Sequence, residues 1–416
     1  MRDKDLYAAI LGIRLPWQVA SVELLESTEE VRVRIEARPG TRFDCPRCGS
    51  RPCPGYDTRR RRWRHLDTCQ FKTILEADVP RIECAEHGVV QVDVPWAEPG
   101  SGFTALMEAL VIEWLKEASI QAVARRMRLS WSQVDGIMQR AVRRGLARRG
   151  PVAPKRIGVD ETSFQKRHEY VTVVNDLDHG RVVWVADGRG QSALDGFYEG
   201  LTPRGRESIE AVAMDMWMPY ICSTAIHVPQ AEEKIAFDRF HVVKHLTDAV
   251  DQVRRHENRQ LVSAGDDRLK RSKYLWLRRS QDLRGQQRLR FRDLKNSALK
   301  TARAWALKEA AVRIWGYTVR GWARRAWNAW LDWASRCRLE PMVKVAKMIR
   351  YHLIGILNAD VLGVTNARAE SLNAKIQKVK RMACGFRNRA RFRNAILFHL
   401  GGLDLAPQAA LTHTKS

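Results

Sequence analysis

Three apolar, β-branched runs stand close together in mid-chain, "RIGVDE", "EYVTVVND" and "RVVWVADGR", and they limit what the chain can fold into. Runs this rich in Val read as buried strands, and their close spacing makes them neighbours in a meander. A helix-compatible piece follows in "SALDGFYEGL", then a fourth strand in "IEAVAMDM", a helix around Met218 to Ile226 and a short fifth strand in "KIAFD". That order predicts an α/β sheet with helices on its faces.

The segments on either side have different periods. From about Val19 to Val94 the pattern is strand-like, with "VRVRIEAR" alternating apolar and basic residues and "FKTILEADVPRIEC" continuing the style. "EPGSG" reads as a linker, after which "FTALMEALVIEWLKEAS" is helical, and "GPVAP" breaks the chain again before the meander. From about Val242 to Leu357 almost everything is helical, with Trp305, Trp315, Trp322, Trp327, Trp330 and Trp333 at spacings that read as helical core rather than a base-stacking platform. The expected organisation is therefore multidomain α/β plus α: 1–99, small and β-rich; 100–150, helical; 151–250, first part of the α/β core; 251–357, a helical insertion; and 358–416, the final helices of the core.

Charge points to the partner. Lys plus Arg outnumber Asp plus Glu by 72 to 47, a formal net charge of +25. The bases recur as "RRRRWR", "RRMR", "RRGLARR" and "RNRARFR" rather than in one tail, so several modules are expected to touch a polyanion. No apolar run reaches the roughly 18 residues that would span a bilayer, and "MRDKDLYAAI" lacks the apolar core of a signal peptide. An intracellular protein with no membrane partner is expected, and in a reducing compartment close Cys pairs more often mean metal than disulfide.

"CPRC" supplies Cys45 and Cys48, and "CAEH" supplies Cys84 and His87. A two-residue gap lets both ligands of a pair bend onto one tetrahedral zinc, and two such pairs make a closed structural site. Cys53 and Cys69 are further thiols able to replace a ligand, and ordinary reduced cysteines are the alternative reading.

"SIQAVARRMRLSWSQVDGIMQRAVRR" reads as two short helices, Ile120 to Met127 and one starting at Trp131, joined by a tight turn and capped by Ser130. Ile120, Val123 and Ala124 form one apolar face, and Val134, Ile137 and Met138 the other. Such a pair would offer Ser132, Gln133 and Arg140 to a DNA groove and Arg125, Arg126 and Arg143 to phosphates. A helical hairpin that binds nothing is the plainer reading, and the net charge argues against it.

Asp160 ends the apolar strand "IGVD" and Asp215 ends "AVAMD", so both are expected at the rim of the sheet, where α/β folds assemble sites. Glu370 lies on a helix whose apolar stripe is Ala369, Leu372, Ile376, Val379 and Ala383, with Asn366, Glu370, Asn373, Gln377 and Arg381 on a polar stripe beside it. A third carboxylate can thus reach the sheet's edge. Three clustered carboxylates repel one another unless a cation intervenes, and Mg²⁺ (or Mn²⁺) with its preference for oxygen suits them. Two such ions support in-line displacement at phosphorus. Lys375 and Lys378, on the same helix, are expected to hold DNA over the acidic centre.

Taken together, "CPRC" with "CAEH", "SIQAVARRMRLSWSQV", "IGVDETSF", "VAMDMW", "FDRFHVVKHL" and "NARAESLNAKIQKVKRMACGFRN" resemble the ISL3 family of bacterial insertion-sequence transposases, in family order from about residue 40 to residue 400. The resemblance implies a ribonuclease-H-like mixed-sheet core with a helical insertion, preceded by a small zinc-binding domain and a helix-turn-helix domain. It implies that Asp160, Asp215 and Glu370 are a DDE triad holding the metal, and that Asp238 and His241 in "FDRFH" are auxiliary groups, Asp238 serving otherwise as a helix cap and His241 as a packing residue. The second Cys/His pair departs from the family, which is usually richer in Cys. The implied activity is cleavage at the element's terminal inverted repeats and strand transfer to target DNA, by a homodimer or larger synaptic complex in the bacterial cytoplasm at the nucleoid. A non-catalytic DNA-binding regulator and a structure-selective nuclease are the rival readings.

Overall fold

A computed structural model describes residues 2–49, 52–165, 169–278, 282–364 and 367–407. Two compact units divide after Gly150, but neither is a continuous stretch: the first also takes Val379–Gly385 and the chain from Leu397 onward, and the second takes Pro151–Lys378 and Phe386–Ile396.

After a helix at Asp3–Ile10, the first unit forms a five-stranded sheet of β1 (Trp17–Leu25), β2 (Glu30–Ala37), β3 (Gly55–Arg64), β4 (Lys72–Cys84) and β5 (Gly88–Gln91). Its order is β1-β2-β4-β3, with β5 also pairing with β4; β2 and β4 run parallel and the other pairs antiparallel. The alternation in "VRVRIEAR" does what period 2 dictates: Val31, Val33 and Ile35 are buried on one face. Trp96 takes Trp17 and Trp63 edge-on in the core, with centroids 5.1 and 5.4 Å away. On the outer face, part of the "RRRRWR" charge is already matched across strands, Arg60 by Asp78 at 3.0 Å and Arg62 by Glu76 at 2.8 Å.

Three helices follow, Ala105–Glu117, Ile120–Arg126 and Trp131–Arg148. Ser119 and Ser130 cap the last two, accepting from the backbone of Ala122 and Gln133. Glu108, fully buried on the first helix, accepts from Arg140 at 2.6 and 2.8 Å and from Ser101 at 2.8 Å, with Arg144 at 3.6 Å. Arg144 also pairs with Glu98. The end of the chain straps the third helix: Arg144 donates to the Leu405 carbonyl and Arg148 to that of Ala406. Gly145 allows the approach, because a Cβ there would lie 2.7 Å from the Cβ of Leu403.

The second unit is built on β6 (Arg156–Gln165), β7 (Glu169–Asp176), β8 (Arg181–Asp187), β9 (Ala211–Met214) and β10 (Ile235–Phe237), in the order β10-β9-β6-β7-β8. The first three form the antiparallel meander, and β9 and β10 add in parallel. One face, with Ile157, Val159, Val174 and Met214, packs with Leu194, Phe197 and Tyr220 of the helices Gln191–Glu199 and Met218–His227. On the other face Gly158 admits Ala369 of the helix Ala367–Met382, whose Cβ would lie 3.5 Å from a Cβ at that glycine. The core on the first of these two faces continues without interruption into the helices from Arg239 to Val361, so the insertion shares the sheet's core. Helix Arg239–Ser263 also runs straight through the boundary expected at residue 250. Of the seven insertion tryptophans, Trp276, Trp315, Trp327 and Trp330 are buried and Trp305 is half-buried, whereas Trp322 and Trp333 are exposed.

Removing one partner of a buried ion pair strands the other, at a cost of about 3–5 kcal/mol when burial is complete. Because Arg140 is half-exposed, Arg140→Ala should cost about 2–4 kcal/mol in urea unfolding, whereas Arg143→Ala on the exposed face should stay within about 0.5 kcal/mol.

Candidate active site and metal centre

The parallel register of β6 and β9 creates the acidic centre. It ends at Gly158 opposite Ala213. Asp160 and Asp215 each lie two residues beyond that last pair, so they emerge side by side on the face that receives helix Ala367–Met382. Sequence alone carries the fourth strand one residue too far, to Asp215 where β9 ends at Met214, and ends β6 too early, since pairing with β7 carries β6 on to Gln165. Asp160 is therefore within a strand, at a rim made by the shortness of β9.

Asp160, Glu161 and Asp215 each offer a carboxylate oxygen, all within 4.8 Å of one another. Asp160 accepts from the backbone of Glu161 at 2.7 Å and from the side-chain amide of Asn373. Next along the same helix, Gln377 donates to Thr162 at 2.8 Å. His241 donates from Nε2 to Asp215 at 3.0 Å, so it orients a carboxylate rather than packing in the core. Asp238 caps helix Arg239–Ser263, accepting from Phe240 at 2.9 Å. Glu370 is exposed, one helical turn before Asn373, and is not among the three clustered carboxylates. Asn366 of the same stripe lies outside the described residues. Lys375 and Lys378 are exposed.

Electrostatics show what the cluster favours. Burial, then the neighbouring Asp215, pushes the Asp160 carboxyl up from 3.8 to about 7, and the same two causes raise Glu161. The hydrogen bond to Asp215 raises His241 in turn. Glu161 Oε2 and Asn373 Oδ1 are buried without a hydrogen-bond partner. Crowded carboxylates with an orphaned oxygen are a donor set that divalent, oxygen-seeking cations fit. Sequence reasoning passed over Glu161, whose one signal was its position directly after Asp160.

In the first unit the two Cys/His pairs meet. Cys45, Cys48, Cys84 and His87 offer ligand atoms within 4.8 Å of one another, and the separations include 3.6 Å between Cys48 and Cys84 sulfurs, 3.8 Å from Cys45 to His87 Nδ1 and 3.7 Å from Cys84 to His87 Nδ1. A tetrahedron with zinc–sulfur bonds of about 2.3 Å has edges of about 3.7 Å, so the set fits a closed structural zinc. Among the described residues no cysteine is in a disulfide. Buried Cys53 stands beside the set, its thiol raised by burial and by Cys84 and Cys45, while Cys69 is exposed.

In the helix pair, Ser132, Arg125, Arg126 and Arg143 are exposed, with Arg126 lying over the Trp114 ring at 4.8 Å. Two expectations change in detail. Gln133 completes a capping box, accepting from the Ser130 backbone at 2.8 Å, and Arg140 is turned to the buried Glu108 instead of a groove.

Three family models match these same regions: a zinc finger of IS204/IS1001/IS1096/IS1165 transposases over residues 41–87, a helix-turn-helix domain of transposase family ISL3 over 92–142, and an ISL3 transposase domain over 157–396. The chain belongs to the ISL3 family of transposases. It is 31% identical to the transposase for insertion sequence element IS1557 of Mycobacterium tuberculosis, strains CDC 1551 and H37Rv alike, over 93% of both chains. It is 29% identical to the transposase for element IS1001 of Bordetella parapertussis, over 94% of this chain and 97% of that one. Among the described residues of this ISL3 member, no helix is long and apolar enough to cross a membrane.

The purified chain should carry about one zinc by elemental analysis, lost in Cys84→Ser and kept in Cys69→Ser. An acid whose folded pKa is raised makes the fold less stable as pH rises from its unfolded value to its folded one, here from about 4 to about 7. In magnesium-free buffer at pH 8, Asp160→Asn should therefore be the more stable protein, by up to about 4 kcal/mol, with the difference vanishing near pH 4. Added Mg²⁺ or Mn²⁺ should raise the melting temperature of the unmutated chain and leave that of the variant nearly unchanged.

Proposed function

We propose that the chain is a DNA transposase that binds the terminal inverted repeats of its insertion sequence, cleaves a phosphodiester at each end and joins the freed 3′-hydroxyl to target DNA. The observation that carries this reading is the pair Asp160 and Asp215, set side by side by the register of β6 and β9. The strand order, an antiparallel meander extended by two parallel strands, suits a ribonuclease-H-like core. Membership of the ISL3 family supports the same assignment.

Asp160 and Asp215 are the metal-holding carboxylates, with Asn373 and His241 fixing their orientation. Glu370, one turn before Asn373, is the third acid of the triad and completes the set when DNA is bound. Divalent cations, Mg²⁺ or Mn²⁺, supply activation of the attacking water or 3′-hydroxyl and stabilisation of the leaving oxygen. Lys375 and Lys378 hold the DNA backbone near the acids, which would otherwise repel it. In the first unit, the zinc-organised sheet and the helix pair recognise the ends, with Ser132 and Gln133 at the start of the reading helix and Arg125, Arg126 and Arg143 on phosphates. Two ends must be processed together, so a homodimer or larger synaptic assembly at the bacterial nucleoid is the working form.

Asp215→Asn and Glu370→Gln should each lower Mg²⁺-dependent cleavage of labelled end DNA by roughly 1,000-fold or more, with end affinity in a gel shift changed less than about threefold. Retained cleavage in Glu370→Gln would remove that residue from the triad. Joining of labelled ends to a plasmid separates a transposase from a nuclease, and an unmutated chain that binds ends but never cuts them would be a regulator.

A further inference from the structure

We propose that Arg189 is a phosphate clamp: its guanidinium, seated on two aromatic rings beside the carboxylate centre, takes a backbone phosphodiester of DNA and positions it toward Asp160 and Asp215. The proposal deepens the transposase reading and rests on it for the identity of the ligand.

Arg189 lies in the turn between β8 and helix Gln191–Glu199. Its guanidinium carbon is 4.6 Å from the centroid of Tyr170, at the start of β7, and 4.8 Å from that of Trp217, two residues past Asp215. The turn is tied down on both sides. Trp217 donates from its indole N–H to the Arg189 carbonyl at 2.9 Å, the Gly188 amide donates to Tyr170 at 2.8 Å, and Thr172 donates to the Gly188 carbonyl at 2.8 Å. Gly188 holds φ at +84°, a conformation that suits glycine. The arginine is thus fixed at its backbone and along its side chain before any ligand arrives.

Cation–π contact fixes a guanidinium without using its N–H groups. Other arginines of this sheet and its flank are occupied by acids: Arg156 by Asp178, Arg181 by Asp176, Arg389 by Glu169 and Arg393 by Asp187. Among the described residues no carboxylate forms an ion pair with Arg189. Its charge is nevertheless felt at Glu161, a member of the acidic centre. A planar fork of donors, held in place and not ion-paired, is suited to a bidentate phosphate contact. Three clustered carboxylates would repel DNA, and a fixed cation at their edge offsets that repulsion for one particular phosphate. Arg189 is a positioning residue in this scheme and takes no proton.

The test measures coupling between the side chain and single phosphates. End duplexes already cut at the cleavage site, each with one phosphate replaced by uncharged methylphosphonate, are titrated by fluorescence anisotropy with Ca²⁺ in place of Mg²⁺. The unmutated chain should lose about tenfold in affinity at one or two positions next to the cut, and Arg189→Ala should lose less than about twofold at those same positions. Arg189→Lys should restore only part of the coupling, because a point charge does not reproduce the fork. If Arg189→Ala does not fold, Arg189→Lys and Trp217→Leu carry the same measurement. A parallel series on an unrelated duplex shows whether the phosphate belongs to the element's end or to target DNA, and coupling on either supports the clamp. Equal losses in variant and unmutated chain at every phosphate would overturn it, leaving Arg189 a neighbour of Glu161 and nothing more. Failure of the transposase reading would appear separately, as absence of Mg²⁺-dependent cleavage by the unmutated chain.

Discussion

Everything in the acidic centre depends on where two parallel strands stop pairing. Hydrogen bonding between β6 and β9 ends at Gly158 and Ala213, and the next residue on the same face of each strand is an aspartate. Parallel strands lie about 4.8 Å apart, so two acids in matched register are pressed together whether or not their charges favour it. The apolar residues just before them, Val159 and Met214, are buried in the main core, which holds the strands in that register. Packing energy thus holds a pair of charges in an arrangement that electrostatics alone would reject.

Asn373 and His241 take the other sides of the pair, one from a helix on the face of the sheet and one from the helix after β10. Both helices are anchored by apolar contacts, Ala369 against Gly158 in one case and Val242 and Leu246 in the main core in the other. Side chains that are positioned by a packed scaffold lose little freedom when a ligand arrives, which is the ordinary route to a preorganised site.

Much of this was legible in the sequence because it rests on periodicity. Alternation located β2, continuous β-branched runs located the meander, helical spacing put Asn373 and Gln377 on a polar stripe beside the face that meets the sheet, and the two Cys/His spacings picked the four clustered ligands. What escaped depends on partners far away in the chain. The apolar run of β6 ends at Val159, yet β7 keeps the strand going, and only the edge left open beyond β9 lets Glu161 join residues that simple alternation puts on the other face. Arg140 looked exposed because Glu108, an acid buried in a neighbouring helix, leaves no periodic trace. The tryptophans divide for a similar reason: helical spacing cannot say which face a neighbouring helix will cover.

The strap across the third helix of the first unit has a genetic corollary. Leu405 and Ala406 reach Arg144 and Arg148 from 261 and 258 residues downstream, and Gly145 is a glycine that lets Leu403 and Asp404 pass. A nonsense or frameshift lesion anywhere downstream of the helix pair would therefore uncover that helix and leave two arginines without their carbonyls. Gene decay that stops translation short of residue 405 should seldom release a free-standing repressor, because the helix keeps its cover only when that stretch is made.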